Sequence, residues 1–370
     1  MGYTKGGIYL RIARFTLDGY FNYGNLLQNY ALQYVIKKYA ADVDSVWSMP
    51  NNFLPQSWWR WSWKEPIKWF INWKGFRDNF KIGRFGIEMA RQARMRDFAD
   101  RYINYRYDAD LTSLDAEYDY FVVGSDQVWN PNWDFKNYFL PFASPEKRVS
   151  YAASISSPDV QEAVKADYIK GLNGMKTLSL REQAGADLVE KLTGRKAMVH
   201  VDPTLLLTAD EWRKVSRQPT WYHGEDYILT YFLGKRPAAV DEIIKSTGLK
   251  VVKLLDENVY EHYVTGVDEF IWAIEHAKLV YTDSFHGTVF SIIFRRPFVV
   301  CDRVGNSVET KMTSRIDSLL QLFGLEARRG TIENNYSIEE PLTMNYPDLE
   351  PVFTRERKRS FDYLASVLFK

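Results

Sequence analysis

Apolar and polar positions along the chain fall into blocks that read as strands followed by helices. Gly7 to Arg14 predicts a first strand, and the apolar residues Leu27, Ala31, Leu32, Val35 and Ile36 that follow have helical spacing. The loop between them holds Gly19, Asn22, Gly24 and Asn25. Tyr118 to Val123 predicts a buried strand followed by Gly124, Ser125, Asp126 and Gln127, small and polar groups of the kind an α/β sheet presents at its carboxyl edge. Residues 149–156 and 177–182 predict two more strands, the second carrying Arg181 near its end, and residues 198–212 add a strand, a turn at Asp202 and Pro203, and a short helix opened by Thr208 and Glu211.

A polar stretch punctuated by Pro219 and Gly224, residues 217–226, predicts an interdomain linker. Beyond it the alternation restarts, with strands at 227–234, 249–255, 279–281 and 297–301 and helices at 238–246, 267–277, 289–294 and 314–325. The expected fold is α/β, with two Rossmann-like domains, 1–216 and 225–345, facing across a cleft. A last helix, within 350–370, is expected to cross back to the first domain.

Residues 47–103 interrupt the first domain and read as a helical insertion. Trp47, Trp58, Trp59, Trp61, Trp63, Trp69 and Trp73 make seven of the twelve tryptophans, interleaved with Arg60, Lys64, Lys68 and Lys74. One reading packs this segment onto the domain surface. The other makes Trp58, Trp59, Trp61 and Trp63 a peripheral membrane patch, because indoles mixed with Lys and Arg suit the headgroup level of a bilayer. Residues 84–103 read as a solvated amphipathic helix.

Composition narrows the class. At 370 residues with 46% hydrophobic and 26% charged positions, the chain has the make-up of a globular protein with room for two domains. No apolar run approaches a membrane span, and the N-terminus lacks the apolar core of a secretory signal, so the expected location is cytoplasmic. A net charge of +1 gives no global drive towards nucleic acid. One cysteine, Cys301, excludes an intramolecular disulfide, and no Cys or His pair has metal-ligand spacing.

The candidate chemistry concentrates in LVYTDSFHGTVFSIIF, residues 279–294. Asp283 and Ser284 are N-cap residues, so the backbone N–H groups around His286, Gly287 and Thr288 are expected to lack intrahelical partners and form an anion pocket. A neutral imidazole suits the positive end of a helix, and with an anion bound there His286 could deliver a proton. A histidine behind an N-cap can equally be a capping group. Asp126 likewise either acts at a site or caps a helix, and Arg181 either forks onto a carboxylate or phosphate or pairs with Glu182 or another acid.

Three stretches, NYGNLLQNYAL at 22–32, GSDQVWN at 124–130 and TDSFHGTVFSIIF at 282–294, resemble the polysaccharide pyruvyl transferase family, in the family's order and over most of the chain. The resemblance implies a glycosyltransferase B-like pair of domains. It implies an enzyme that joins the enolpyruvyl carbon of phosphoenolpyruvate to two hydroxyls of a saccharide as a ketal, in surface or capsular polysaccharide biosynthesis. Phosphoenolpyruvate is then a co-substrate, with no cofactor or metal, and the acceptor is free or lipid-linked. Cations must hold the donor's carboxylate and phosphate, and a proton must reach its methylene carbon. His286 and Asp126 are the catalytic candidates. For binding, the family's cleft-lining loop corresponds to Asn22, Gly24 and Asn25, and its anion site includes Arg181. Ser125, Gln127, Ser284, Gly287 and Thr288 complete the set, with Arg303 and Arg315 in reserve.

One departure qualifies this. Many members carry Arg-Leu-His where this chain has Ser284-Phe285-His286, and that Arg contacts the donor anion. Either another Arg compensates, from Arg295, Arg296, Arg303 and Arg315, or the donor differs. A nucleotide-sugar glycosyltransferase of the same architecture and a non-catalytic saccharide-binding protein are the alternatives.

Overall fold

The computed structural model describes residues 10–47, 82–108, 110–303 and 313–368. Strands β1 (Arg11–Phe15), β2 (Asp42–Trp47), β3 (Tyr105–Tyr107), β4 (Tyr120–Val123) and β5 (Arg148–Ser150) form a parallel sheet in the order β3-β2-β1-β4-β5. The expected strands at 149–156 and 177–182 are shorter than their apolar runs. Ala152 and Ser156 take positive φ, 47° and 51°, which ends the extended run of β5, while β6 (Ser179–Leu180) pairs with β7 (Met198–Val199) and meets the segment after β5 through a single bridge, Leu180 to Ala153.

The second sheet is also parallel. It contains β8 (Tyr227–Tyr231), β9 (Lys250–Lys253), β10 (Leu279–Thr282), β11 (Phe298–Cys301) and β12 (Arg329–Gly330) in the order β12-β11-β10-β8-β9. Each sheet reverses its winding once, between β1 and β4 in the first and between β8 and β10 in the second. Crevices open at the carboxyl ends of such strand pairs. Here the two crevices face the same space, so the molecule is a pair of Rossmann-like units with a cleft between them, the glycosyltransferase B-like arrangement.

Helices hold the two halves in register. Asn22 caps the helix Tyr23–Ile36 by accepting the Gly24 N–H at 2.9 Å. Tyr23 then crosses to the second half, stacking on Phe270 with centroids 4.5 Å apart and donating its hydroxyl to the Thr265 carbonyl at 2.8 Å. The final helix, Glu350–Leu368, lies against the first sheet, where the Tyr363 hydroxyl donates to the Ser150 carbonyl at 2.8 Å.

The amphipathic helix expected at 84–103 forms, as Ile82–Tyr102, but its polar face is not wholly solvated. The helix Ile82–Tyr102 buries Met95, Phe98 and Ala99, residues spaced three and four apart on one face. Its polar face reaches the second half, with Arg94 paired to Glu269 and Arg101 Nη2 2.9 Å from Asp268 Oδ2. Trp47 is buried at the end of β2, whereas Trp58, Trp59, Trp61 and Trp63 lie outside the described residues. Among the described residues no helix is long and apolar enough to cross a membrane.

Candidate active site

The helix Phe285–Ile293 carries the site and is fixed from beneath. Val289, Phe290 and Ile292 are fully buried, and the Phe290 ring meets Trp212 edge-on at 4.8 Å. Burial of one such side chain contributes about 1.5–3 kcal/mol, so the first turn is held in place by its own core. That turn opens onto a cleft of about 430 Å³. Asn22, Asn25, Asp126 and Gln127 line it from the first domain, and Ser284, Phe285, His286, Arg303 and Arg315 line it from the second.

His286 is seated by contacts from both domains. A Cβ on Gly24 would come within 1.9 Å of the His286 Nδ1, so only glycine lets the first domain's helix pass under the ring. Nε2 is buried without a hydrogen-bond partner, 3.7 Å from Oδ2 of Asp202. That carboxylate accepts the Ser125 hydroxyl at 3.0 Å, the Thr204 hydroxyl at 2.7 Å and the Thr204 N–H at 3.0 Å. Burial alone would push Asp202 towards the neutral acid. The charges of His286 and Arg181 and the hydrogen bond from Thr204 outweigh it and hold the carboxyl far below its ordinary range.

The expected anion pocket at His286–Thr288 is corrected. Ser284 is the N-cap, and its Oγ accepts the Gly287 N–H at 3.3 Å while its carbonyl accepts the Thr288 N–H at 3.0 Å. Those two donors are therefore spent inside the helix. Gly287 and Thr288 are buried and do not line the cleft; Gly287 packs against Thr282, whose Oγ1 would lie 2.7 Å from an added Cβ. Ser125 is fully buried too and serves Asp202 rather than a ligand. Asp283 is also not the cap. Its carboxylate accepts the N–H groups of Leu233 and Gly234, both at 2.7 Å, and pairs with Arg303 at 3.2 Å.

The arginines change rank. Arg181 has three acids around it: Asp202 at 2.9 Å, Asp126 at 3.6 Å and Glu182 at 3.9 Å. Burial works against its charge, but these carboxylates outweigh it and raise the guanidinium above its ordinary value. Arg181 does not line the cleft; with Phe285 and Arg315 it faces a neighbouring cavity of about 300 Å³. Arg315 lines both spaces. It is 6% exposed, its Nε has no partner, and it makes no ion pair among the described residues. Burial, followed by repulsion from Arg181, brings its pKa down to about 10, so it stays cationic at neutral pH.

The polysaccharide pyruvyl transferase profile matches residues 22–303, more than half of the chain and all of the cleft-lining segments named above except Arg315. The chain belongs to the polysaccharide pyruvyl transferase family. A search of curated proteins finds no match. Among solved structures it is similar to the UDP-GlcNAc 2-epimerase of Neisseria meningitidis bound to UDP-GlcNAc, with 9% identity, a TM-score of 0.42 and coverage of 96% of this chain and 98% of that one. Phytolacca americana UGT2, complexed with UDP-2-fluoroglucose and pterostilbene, gives 9% identity and a TM-score of 0.42 over 98% of this chain and 94% of that one. At that level the likeness carries no argument about ligands.

Set against the family pattern, Ser284 is a helix cap. Of the arginines considered as substitutes for the family Arg, Arg303 and Arg315 line the cleft, Arg295 pairs with Glu350 at 2.8 Å, and Arg296 is not among the lining residues. Sequence reasoning missed Asp202, read as part of a turn, and Phe285, whose ring lies 4.9 Å from the Arg181 guanidinium. It also missed Trp133 at the cleft mouth. Among the described residues no group of three or more His, Cys, Asp and Glu side chains is placed to hold a metal ion. Cys301 is buried, and burial pushes its thiol up to about 12.

Proposed function

We propose that the cleft binds phosphoenolpyruvate and transfers its enolpyruvyl carbon to two hydroxyls of one saccharide, forming a pyruvate ketal and releasing phosphate. The observation that carries this reading is the meeting, in one cleft, of an imidazole resting on Gly24 and a buried guanidinium, Arg315, with no acid of its own. Arg315 and Arg303 hold the donor's carboxylate and phosphate, taking the part of the family Arg that Ser284 replaces.

With Nε2 turned to Asp202, Nδ1 of His286 is the nitrogen left for the substrate. It gives a proton to the methylene carbon, which becomes the ketal methyl group, and the central carbon becomes electrophilic. One sugar hydroxyl adds there and loses its proton, with Asp126 as acceptor. Phosphate then departs with its bonding electron pair, and the second hydroxyl closes the ketal. In the balance, one hydroxyl hydrogen ends in the methyl group and the other leaves with phosphate. Asp202 orients the ring and sets a negative charge beside it.

On the same reading no cofactor is required, and the acceptor belongs to a surface or capsular polysaccharide assembled in the cytoplasm. Flotation with anionic liposomes, abolished when Trp58, Trp59 and Trp61 are replaced by serine, would extend it to a lipid-linked acceptor at the membrane surface.

Isothermal titration tests the donor. Phosphoenolpyruvate should bind the wild type and His286→Ala, bind Arg315→Ala far more weakly, and release phosphate only with the wild type and an acceptor. Binding of UDP in place of phosphoenolpyruvate would overturn the reading in favour of a nucleotide-sugar donor.

A further inference from the structure

The two walls of the cleft differ in kind. The second domain contributes Arg303, Arg315 and His286, and on the reading above this is the donor side. From the first domain no Lys or Arg among the described residues lines the cleft, and Asp126 is its one charged group. At the mouth stand two aromatic rings that the core does not use, Trp133, 49% exposed, and Phe21, 57% exposed.

Beneath them the amides are oriented by the fold. The Ser125 N–H donates to Gln28 Oε1, which leaves Gln28 Nε2 as the donor to Thr16 Oγ1 at 2.8 Å and to the Asn25 carbonyl at 2.9 Å, with Asn25 Oδ1 a longer third contact at 3.3 Å. Asn22 Oδ1 is taken by the Gly24 N–H, and Gln127 Oε1 by Asn130 Nδ2 at 2.9 Å. In Asn22 and Gln127 the amide oxygen is engaged inside the protein, and in Asn25 it shares a donor with two closer acceptors. Each NH2 group is left without a protein partner among the described residues, and all three residues line the cleft. Donors that face the cleft are free to be accepted by a ligand there.

We propose that this wall is the acceptor subsite and that it selects a neutral pyranoside. The apolar C–H face of the sugar rests on Trp133 and Phe21, and its hydroxyl oxygens accept from Asn22, Asn25 and Gln127. A uronate would bring its carboxylate to Asp126, and the first-domain cation beside that acid, Arg181, is already shared with Asp202 and Glu182 and does not line the cleft. The inference rests on pyruvyl transfer for its direction, donor on one wall and acceptor on the other.

Saturation-transfer difference NMR with methyl β-galactopyranoside, methyl β-glucopyranoside and methyl β-glucuronide tests it, alongside titration of phosphoenolpyruvate into the same proteins. The expected result is transfer to a neutral pyranoside, little to the glucuronide, and at least an about fivefold loss of sugar affinity in Trp133→Ala that Trp133→Phe partly restores. Gln127→Ala should weaken the sugar as well, and Trp133→Ala should leave phosphoenolpyruvate affinity unchanged. Three results would overturn the proposal: equal or better binding of the glucuronide, full sugar binding in Trp133→Ala, or no neutral-sugar signal in the wild type. If phosphoenolpyruvate fails to bind while the sugar pattern holds, the donor reading falls and the saccharide subsite stands.

Discussion

Arg181 and Arg315 border the same 300 Å³ cavity beside Phe285, and both are buried, yet they differ in whether a carboxylate pairs with them directly. Arg181 is enclosed by Asp202, Asp126 and Glu182. Arg315 makes no such pair and also opens onto the cleft. A buried charge with its counter-charges in place is part of the scaffold, because removing it strands the partners. A buried charge without them is held against its own desolvation cost, which points to a ligand that arrives from outside.

Alanine at each position breaks the comparison most directly. Arg181→Ala should destabilise the protein by about 3–5 kcal/mol, read by urea unfolding, since Asp202, Asp126 and Glu182 all lose the cation they share. Arg315→Ala should leave stability unchanged or slightly raised while donor binding is lost. Equal stability losses would mean that the two residues are both structural.

Acid unfolding sharpens the picture of the Arg181 side, because His200 lines the same cavity. Its Nδ1 lies 2.8 Å from the Ser179 hydroxyl, and burial, then the charge of Arg359, lowers its pKa to about 4. The unfolded chain takes up this proton first. Stability is therefore full above about pH 6.5 and falls as the pH drops towards 4, by about 3 kcal/mol from this group. His200→Gln should flatten that part of the curve, and an unchanged slope would assign the acid limb to other groups.

Gly24→Ala separates proton delivery from anion binding. Its methyl group would displace the His286 ring, so kcat should fall about a hundredfold with phosphoenolpyruvate affinity held within a few-fold. A matching loss of donor affinity would mean that the imidazole itself anchors the anion. The smallest effect is expected of Ser284→Ala, about 1 kcal/mol from a lost helix cap, with donor binding retained. Strong loss of donor binding there would return Ser284 to the anion site.

The site was legible wherever its signal was local. Asn22, Asn25, Asp126, Gln127, Ser284 and His286 each follow a strand end or open a helix, and the structure brings them all to one cleft. Roles that depend on distant partners were not legible. Arg181 at a strand end has the same local signature as a ligand-binding arginine, and its acids come from positions as separate as Asp126 and Asp202. Gly24 reads as a loop glycine until His286, far along the chain, is placed on top of it.

The sequence by itself determined the alternation of strand and helix, the turn that carries His286, and membership of a family through three ordered stretches, because periodicity, capping and motif spacing are local in the chain. The tertiary structure alone decided which charges are compensated and which groups still face the cleft. Those depend on burial and on pairs of atoms from different strands, and a buried arginine is scaffold or ligand site according to the carboxylates that the fold sets beside it.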